Sequence, residues 1–327
     1  MIGGVNMCGR NEKDLQLEEK INMLLKDAPN LICKFITSIS LTKTANTRYV
    51  YTTYLKHFNS FLNCNNIQIT EVKPMDIDEY IIYSTKGKNG KINGAQIINA
   101  RLSAIISFYN FLVENQIIDK NPCSSKKKLN IDEKDTVTYM TPEEVMQIKN
   151  IIRSGKNRQK KYIDRDLAII ELGCTTGLRV SAIANIDMQD INFQERSIYV
   201  IEKGAKKRKI YFGKNTEEAL IKWINTRNEI LNNEEIQPLF ISKLKTRITK
   251  DAISDMLKNA VKEAGINKKI TPHKMRSTCG MNLYGATGDI KLTQDVLGHS
   301  NIRNTMIYVK ATERQKKEAI NILDSLY

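Results

Sequence analysis

Two histidines, an arginine and a tyrosine are set at telling intervals near the C-terminus. His273-Lys274-Met275-Arg276 is followed by Leu297-Gly298-His299, and Tyr308 comes nine positions after that histidine. The chain holds three histidines in all, and two of them stand here. Upstream lie Thr176-Gly177-Leu178-Arg179 and a lysine in a basic loop, Lys203. Arginine, histidine, lysine and tyrosine without clustered carboxylates suit attack on a phosphodiester with no metal ion. The non-bridging oxygens of the transition state carry dispersed negative charge. A guanidinium fork gives each of them hydrogen bonds and stays charged at any relevant pH. A phenol can form a reversible ester, a lysine ammonium can protonate a departing sugar oxygen, and histidine can bind phosphate or take the phenolic proton.

The elements around these residues are predicted to bring them into place. Arg179 follows a Thr-Thr-Gly turn and is expected to begin a helix, beside N–H groups that favour phosphate. His273 and Arg276 are spaced i, i+3 and share one helical face, with Pro272 suited to the first turn. Lys203 sits in Glu202-Lys203-Gly204-Ala205-Lys206-Lys207-Arg208-Lys209, a strand-turn-strand tip between Ser197 to Ile201 and Arg208 to Phe212. Lys206 is the strongest rival for its role.

Further out, the pattern is mostly helical. Leu17, Ile21 and Leu24 have helical spacing, so residues 1–27 are a frayed arm or a short first helix. Residues 28–121 form a compact all-helical domain. Leu31, Phe35 and Ile36, then Tyr51, Tyr54, Leu55, Phe58, Phe61 and Leu62, then Ile97, Ile98, Leu102, Ile105, Ile106, Tyr109 and Leu112 mark its apolar faces. Thr44 or Asn46 caps the second of these helices. Tyr51 and Tyr54 are taken as core. Residues 122–139 are polar, include Lys126-Lys127-Lys128 and read as an extended linker. The domain 140–327 opens at Thr141-Pro142-Glu143-Glu144, a capped helix start. The fold class is therefore mainly α with a small β-sheet: a helical N-terminal domain, then a mixed but mostly helical second domain.

Composition narrows the partner. Lys and Arg number 51 against 36 Asp and Glu, a net charge of +15, which favours polyanions and nucleic acid first. No apolar run approaches the roughly 20 residues of a spanning helix. The N-terminus has no apolar signal core. The six cysteines are scattered singly with no C-x-x-C pair, so reduced thiols in a cytoplasmic protein are expected, with no metal and no cofactor.

Taken together, Thr176-Gly177-Leu178-Arg179-Val180-Ser181, Lys203-Gly204 in a strand-turn-strand, His273-x-x-Arg276, Leu297-Gly298-His299 and Tyr308 resemble the tyrosine recombinase family, which includes the phage integrases and the Xer and Cre recombinases. The likeness covers Thr141 to about Ala311, and the first domain is similar to that family's helical core-binding domain in pattern and placement. The resemblance implies site-specific exchange of DNA strands. Tyr308 would form a 3′-phosphotyrosine and release a 5′-hydroxyl. Arg179, Arg276 and His299 would hold the non-bridging oxygens, Lys203 would protonate the leaving oxygen, and His273 would assist proton transfer. It also implies a two-domain clamp on double-stranded DNA and four protomers assembled on paired sites, with a monomer or weak oligomer in the absence of DNA.

Two positions depart from the family pattern. Ala182 stands where an acidic residue usually supports the site, and Lys310 where many members have histidine. Each motif fragment alone has a bland reading as a salt bridge, a solvated lysine or a packing tyrosine, and only their joint order overturns it. Two other functions fit part of the same pattern: a topoisomerase using the same tyrosine chemistry, and a DNA-binding protein that has lost catalysis. The apolar cluster Ala319, Ile320, Ile322 and Leu323 in the tail is expected on a helix that docks on a neighbouring protomer or folds back.

Overall fold

The structure is a computed structural model that describes residues 8–87, 92–130, 137–155, 159–201, 207–232, 234–299 and 301–309, with 320, 321 and 324 of the tail. Side chains are described from residue 14 onward. The chain divides into two compact units, 1–133 and 134–327.

The first unit is built from helices α1 (Cys8–Leu25), α2 (Asn30–Ser38), α3 (Ala45–Cys64), α4 (Pro74–Thr85) and α5 (Ala95–Glu114). The first-helix alternative for the N-terminus is the one adopted. α1 packs on α3, and Ile21 enters the core while Leu17 and Leu24 stay half-buried. Thr44 caps α3 by accepting from Thr47 N–H at 3.3 Å, which satisfies one of the amides a helix start leaves unpaired. Aromatic rings fill the centre: Phe35 and Phe108 meet edge to face at 5.6 Å, and Phe58 meets Tyr80 at 4.8 Å. Each fully buried ring of this kind stabilises the fold by about 1.5–3 kcal/mol. Tyr51 stacks on Phe35 at the core's edge, whereas Tyr54 lies outside the apolar cluster with the Arg101 guanidinium 6.0 Å over its ring. On α5 the inward stripe is Ile98, Leu102, Ile105, Phe108, Tyr109 and Leu112, while Ile97 is exposed and Ile106 half-buried.

The polar stretch expected as linker is held by this unit at its start. Cys123 is buried in the aromatic core. Asn99 fixes the backbone of Leu129 from both sides, donating to its carbonyl at 2.9 Å and accepting from its amide at 2.8 Å. Lys126 pairs with Asp78 at 2.5 Å. A side-chain amide matching one backbone unit is a three-dimensional pairing, so no local pattern in the sequence announces it.

The second unit comprises α6 (Pro142–Arg153), α7 (Ile163–Thr176), α8 (Val180–Ala184), strands β1 (Ile191–Asn192), β2 (Ser197–Ile201) and β3 (Lys207–Tyr211), then α9 (Lys214–Leu231), α10 (Lys250–Glu263), α11 (Pro272–Thr287), α12 (Ile290–Leu297) and α13 (Arg303–Met306). Thr141 and Glu144 close a capping box at the start of α6: the Thr141 hydroxyl accepts from Glu144 N–H at 3.3 Å and Glu144 Oε2 from Thr141 N–H at 2.8 Å. α7 is the central helix, flanked by α6, α9 and α11, with Ala168, Ile169, Ile170 and Leu172 fully buried. A helix apolar on several faces belongs in such a place. Trp223 of α9 is buried too, and its indole N–H donates to the Leu239 carbonyl at 2.9 Å. The apolar stretch Leu239-Phe240-Ile241 is wholly buried.

The three strands form one antiparallel sheet in the order β1-β2-β3, with Ile198 opposite Ile210 and Val200 opposite Arg208. Ile198, Val200 and Ile210 face the core, and Tyr199, Ile201 and Tyr211 face out, the alternation a strand imposes. The two-residue β1 was too short to be seen by periodicity. Among the described residues no helix is long and apolar enough to cross a membrane.

Candidate active site

The site grows from a turn. Thr176 ends α7, and Gly177 takes the left-handed conformation (φ 63°) that closes the helix. A side chain at Gly177 would collide with Leu297 Cδ2 and lie 3.2 Å from Cys279 Sγ, so both the backbone angle and the space require glycine. Leu178 is buried and anchors the turn, and Arg179 follows in extended backbone as the exposed N-cap residue of α8. α8 is only five residues long, so the expected helix start is present in its shortest form.

α11 supplies the next two groups. Pro272 occupies its first turn, His273 is exposed, and Arg276 is 1% exposed. Arg276 reaches across to two other segments, donating to the Gly177 carbonyl at 2.8 Å and the Leu297 carbonyl at 2.6 Å. Carbonyl dipoles orient a guanidinium without cancelling its charge. These two bonds tie the Thr-Gly-Leu-Arg turn, α11 and the end of α12 into one assembly.

α12 ends at Gly298 in a second left-handed turn (φ 65°), and His299 comes next. His299 Nδ1 lies 2.9 Å from the Thr305 hydroxyl, while its amide donates to the Gln294 carbonyl and its own carbonyl accepts from Gln294 Nε2 at 2.8 Å. Burial, then the charges of Arg276 and Arg179, with smaller effects from His273 and Arg208, push its pKa down to about 4. Burial and the cations Arg276, Lys274 and Arg179 lower that of His273 as well. Both rings are therefore neutral near pH 7. The mutual effects also show that Arg179, His273, Arg276 and His299 gather at one place.

Tyr308 lies just past α13 and is 3% exposed. Its ring covers Gly280 so closely that a Cβ there would stand 2.6 Å from the ring. The Ser277 hydroxyl and the Arg276 cation both act on its phenol to lower its pKa. Burial dominates these influences and raises its pKa, so the group rests as a phenol.

Lys203 and its rival Lys206 fall at 202–206, outside the described residues, as do Lys310 and most of the tail; Ile320 of the tail is exposed. Two other cations of that loop are committed elsewhere, since Lys209 pairs with Glu195 at 2.5 Å and Arg208 donates to carbonyls at the end of α12. Ala182 is half-buried against the core. Ser277, Gly280 and Thr305 escaped the sequence reading, and Arg208 entered it only as one of the basic residues, with Lys206, Lys207 and Lys209, that compete for the role of Lys203. Ser277 and Gly280 do fall one and four residues after Arg276, but small residues on a helix carry no chemical signature. Among the described residues no group of three or more His, Cys, Asp or Glu could hold a metal.

Comparison with known proteins bears on this geometry. The sequence model of the phage integrase family matches residues 138–315, and that of the phage integrase N-terminal SAM-like domain matches 32–116. The tyrosine recombinase XerC of Haemophilus influenzae (strain PittEE) is 33% identical over 242 residues, 73% of this chain and 77% of that one. XerC of Leptospira interrogans is 28% identical over 289 residues, covering 87% and 90%. Among solved structures, XerH site-specific recombinase bound to palindromic difH substrate superposes with a TM-score of 0.76 at 17% identity, covering 95% of this chain and 90% of that one. The Tn1549 transposon integrase in complex with circular intermediate DNA gives 0.68 at 22% identity, covering 88% and 98%. At those identities the superpositions speak for the fold.

Proposed function

The chain belongs to the phage integrase family of tyrosine recombinases, and we propose that its cluster of cations around a buried tyrosine cuts and rejoins duplex DNA at specific sites. The observation that carries the assignment of roles is the convergence of Arg179, His273, Arg276 and His299 beside Tyr308.

In the reaction, Arg179 and Arg276 hold the non-bridging oxygens of the scissile phosphate, and Arg276 is already oriented by two carbonyls. With Nδ1 engaged by Thr305, His299 offers Nε2 to the same phosphate. Tyr308 Oη attacks phosphorus and gives up its proton to His273, whose neutral ring can accept it. The bond from phosphorus to the 5′ oxygen breaks, that oxygen takes a proton from Lys203, and the DNA is left as a 3′-phosphotyrosine ester. Rejoining is the reverse, with a 5′-hydroxyl as nucleophile. Bond energy is kept in the ester, so no cofactor is needed.

The finer partners follow from the same reading. The first unit acts as a core-binding domain, four protomers assemble on paired double-stranded sites, and the protein works in the cytoplasm. Ala182 leaves the site without the usual acidic support, which favours a catalytically impaired DNA-binding protein as the second reading. The carbonyl anchors on Arg276 argue for activity, since they orient it without help from position 182.

Covalent trapping on a randomised pool of nicked duplexes tests this. A nick beside the cleavage point lets the short product leave, so protein stays fixed to DNA on a denaturing gel. Adducts are expected from the wild-type chain and none from Tyr308→Phe, with DNA affinity nearly unchanged. Adducts that persist in Tyr308→Phe overturn the nucleophile, and clear binding with no wild-type adduct favours the impaired reading. Relaxation of supercoiled plasmid without exchange between sites would point to topoisomerase action.

A further inference from the structure

Arg208 stands at the second position of β3, just beyond the hairpin tip that carries Lys203 in the sequence. Its backbone pairs with Val200, but its side chain leaves the sheet. Nη1 donates to the Asp295 carbonyl at 3.3 Å and the Val296 carbonyl at 3.0 Å, and Nη2 to the Leu297 carbonyl at 3.4 Å. These residues form the last turn of α12, where helix carbonyls run out of internal partners and a cation is favoured by the dipole. The Leu297 carbonyl is also the one that Arg276 takes at 2.6 Å. Gly298 follows, and a Cβ there would lie 2.5 Å from Arg208 Cζ. The guanidinium therefore lies flat on the backbone that leads into His299. Its neighbour Lys209, by contrast, makes a surface pair with Glu195.

We propose that Arg208 is a positioning residue for strand cleavage: it clamps the Leu297-Gly298-His299 turn to β3, so that His299 and Arg276 keep their places around the phosphate. This rests on the DNA-cleaving function proposed above. Arg208 need not touch the substrate. It acts through the shared Leu297 carbonyl, where a shift is felt by Arg276, and through Gly298, where it is felt by His299. Lysine is no substitute, because a single ammonium cannot span three carbonyls as the planar fork does.

The test uses the full chain and the nicked duplex that the wild type traps best from a randomised pool. Adduct formation is followed in single turnover at saturating duplex for Arg208→Lys, Arg208→Ala, Gly298→Ala and the double variant Arg208→Ala/Gly298→Ala, alongside DNA affinity and melting temperature. Both Arg208 variants are expected to slow the adduct by roughly 10–100-fold, the loss typical of removing an orienting partner, with affinity close to wild type. Gly298→Ala is expected to slow it too. In the double variant the methyl no longer meets a guanidinium, so the combined loss falls short of the product of the two single losses. A wild-type rate in Arg208→Lys, or single losses that multiply in the double variant, overturns the proposal. So does an affinity loss with a shallower salt dependence, the mark of a phosphate contact. If Arg208→Ala does not fold, Arg208→Lys against wild type decides the matter. Absence of any adduct from the wild-type chain overturns the cleavage function instead, before a variant is made.

Discussion

At the scale of single residues, the site is a set of ionisable groups held away from their ordinary states. The pKa of His299 falls from 6.5 to about 4 and that of His273 falls as well, while outside the site burial and Arg101 lower that of His57 on α3. Each is protonated more readily in the unfolded chain than in the folded one. Folding stability is therefore complete above about pH 6.5 and declines as the pH drops toward 4. Denaturant unfolding at several pH values should show that decline, and His299→Gln should make it shallower; an unchanged slope contradicts the shift. Tyr308 is tested through Gly280, because a methyl there cannot coexist with the ring at 2.6 Å. Gly280→Ala is expected to push the phenol outward, raising its modification by tetranitromethane as read by mass spectrometry. The residues proposed to do chemistry stand out in the sequence because few side-chain types can perform it. Those that hold them do not: Ser277, Thr305 and Arg208 act through contacts with segments distant in sequence or with no distinctive chemistry of their own.

At the scale of elements, helix ends decide where the cations stand. Thr141→Ala removes half of a capping box and is expected to cost about 1 kcal/mol, read as a lower denaturation midpoint with an unchanged slope. Gly177→Ala is more severe. It places a side chain at φ 63° and drives it into Leu297, so a loss of about 2–4 kcal/mol is expected. Activity should fall with it, since the same turn carries Arg179 and accepts from Arg276. A Gly177→Ala chain with wild-type stability would contradict the packing described. Helices and the β2–β3 hairpin were readable because caps, prolines and periodic apolar residues are local signals. The contacts of the polar stretch after residue 121 were not legible for the opposite reason: its hold on the first unit comes from Cys123 in the core and from Asn99 gripping Leu129. Interior position on α5 was likewise blurred, because Ile97 and Ile98 are chemically alike and only the fold buries one of them.

At the scale of the whole molecule, a net charge of +15 joins two compact units, the second of which carries every proposed catalytic group. Binding to duplex DNA should weaken along a straight line of log affinity against log salt, with a slope of about −0.9 for each phosphate neutralised; salt-independent binding would contradict a phosphate-tracking surface. The fold as a whole was legible from the order of its motifs, which survives where single fragments are ambiguous. One detail of it matters beyond the reaction. An enzyme that breaks DNA with its own tyrosine is hazardous to the chromosome it travels along, since each stray encounter risks a nick with protein stuck to it. The ring of Tyr308 lies shut against Gly280. On the function proposed above, the cations of the site can thus meet one backbone phosphate after another while the proposed nucleophile stays covered.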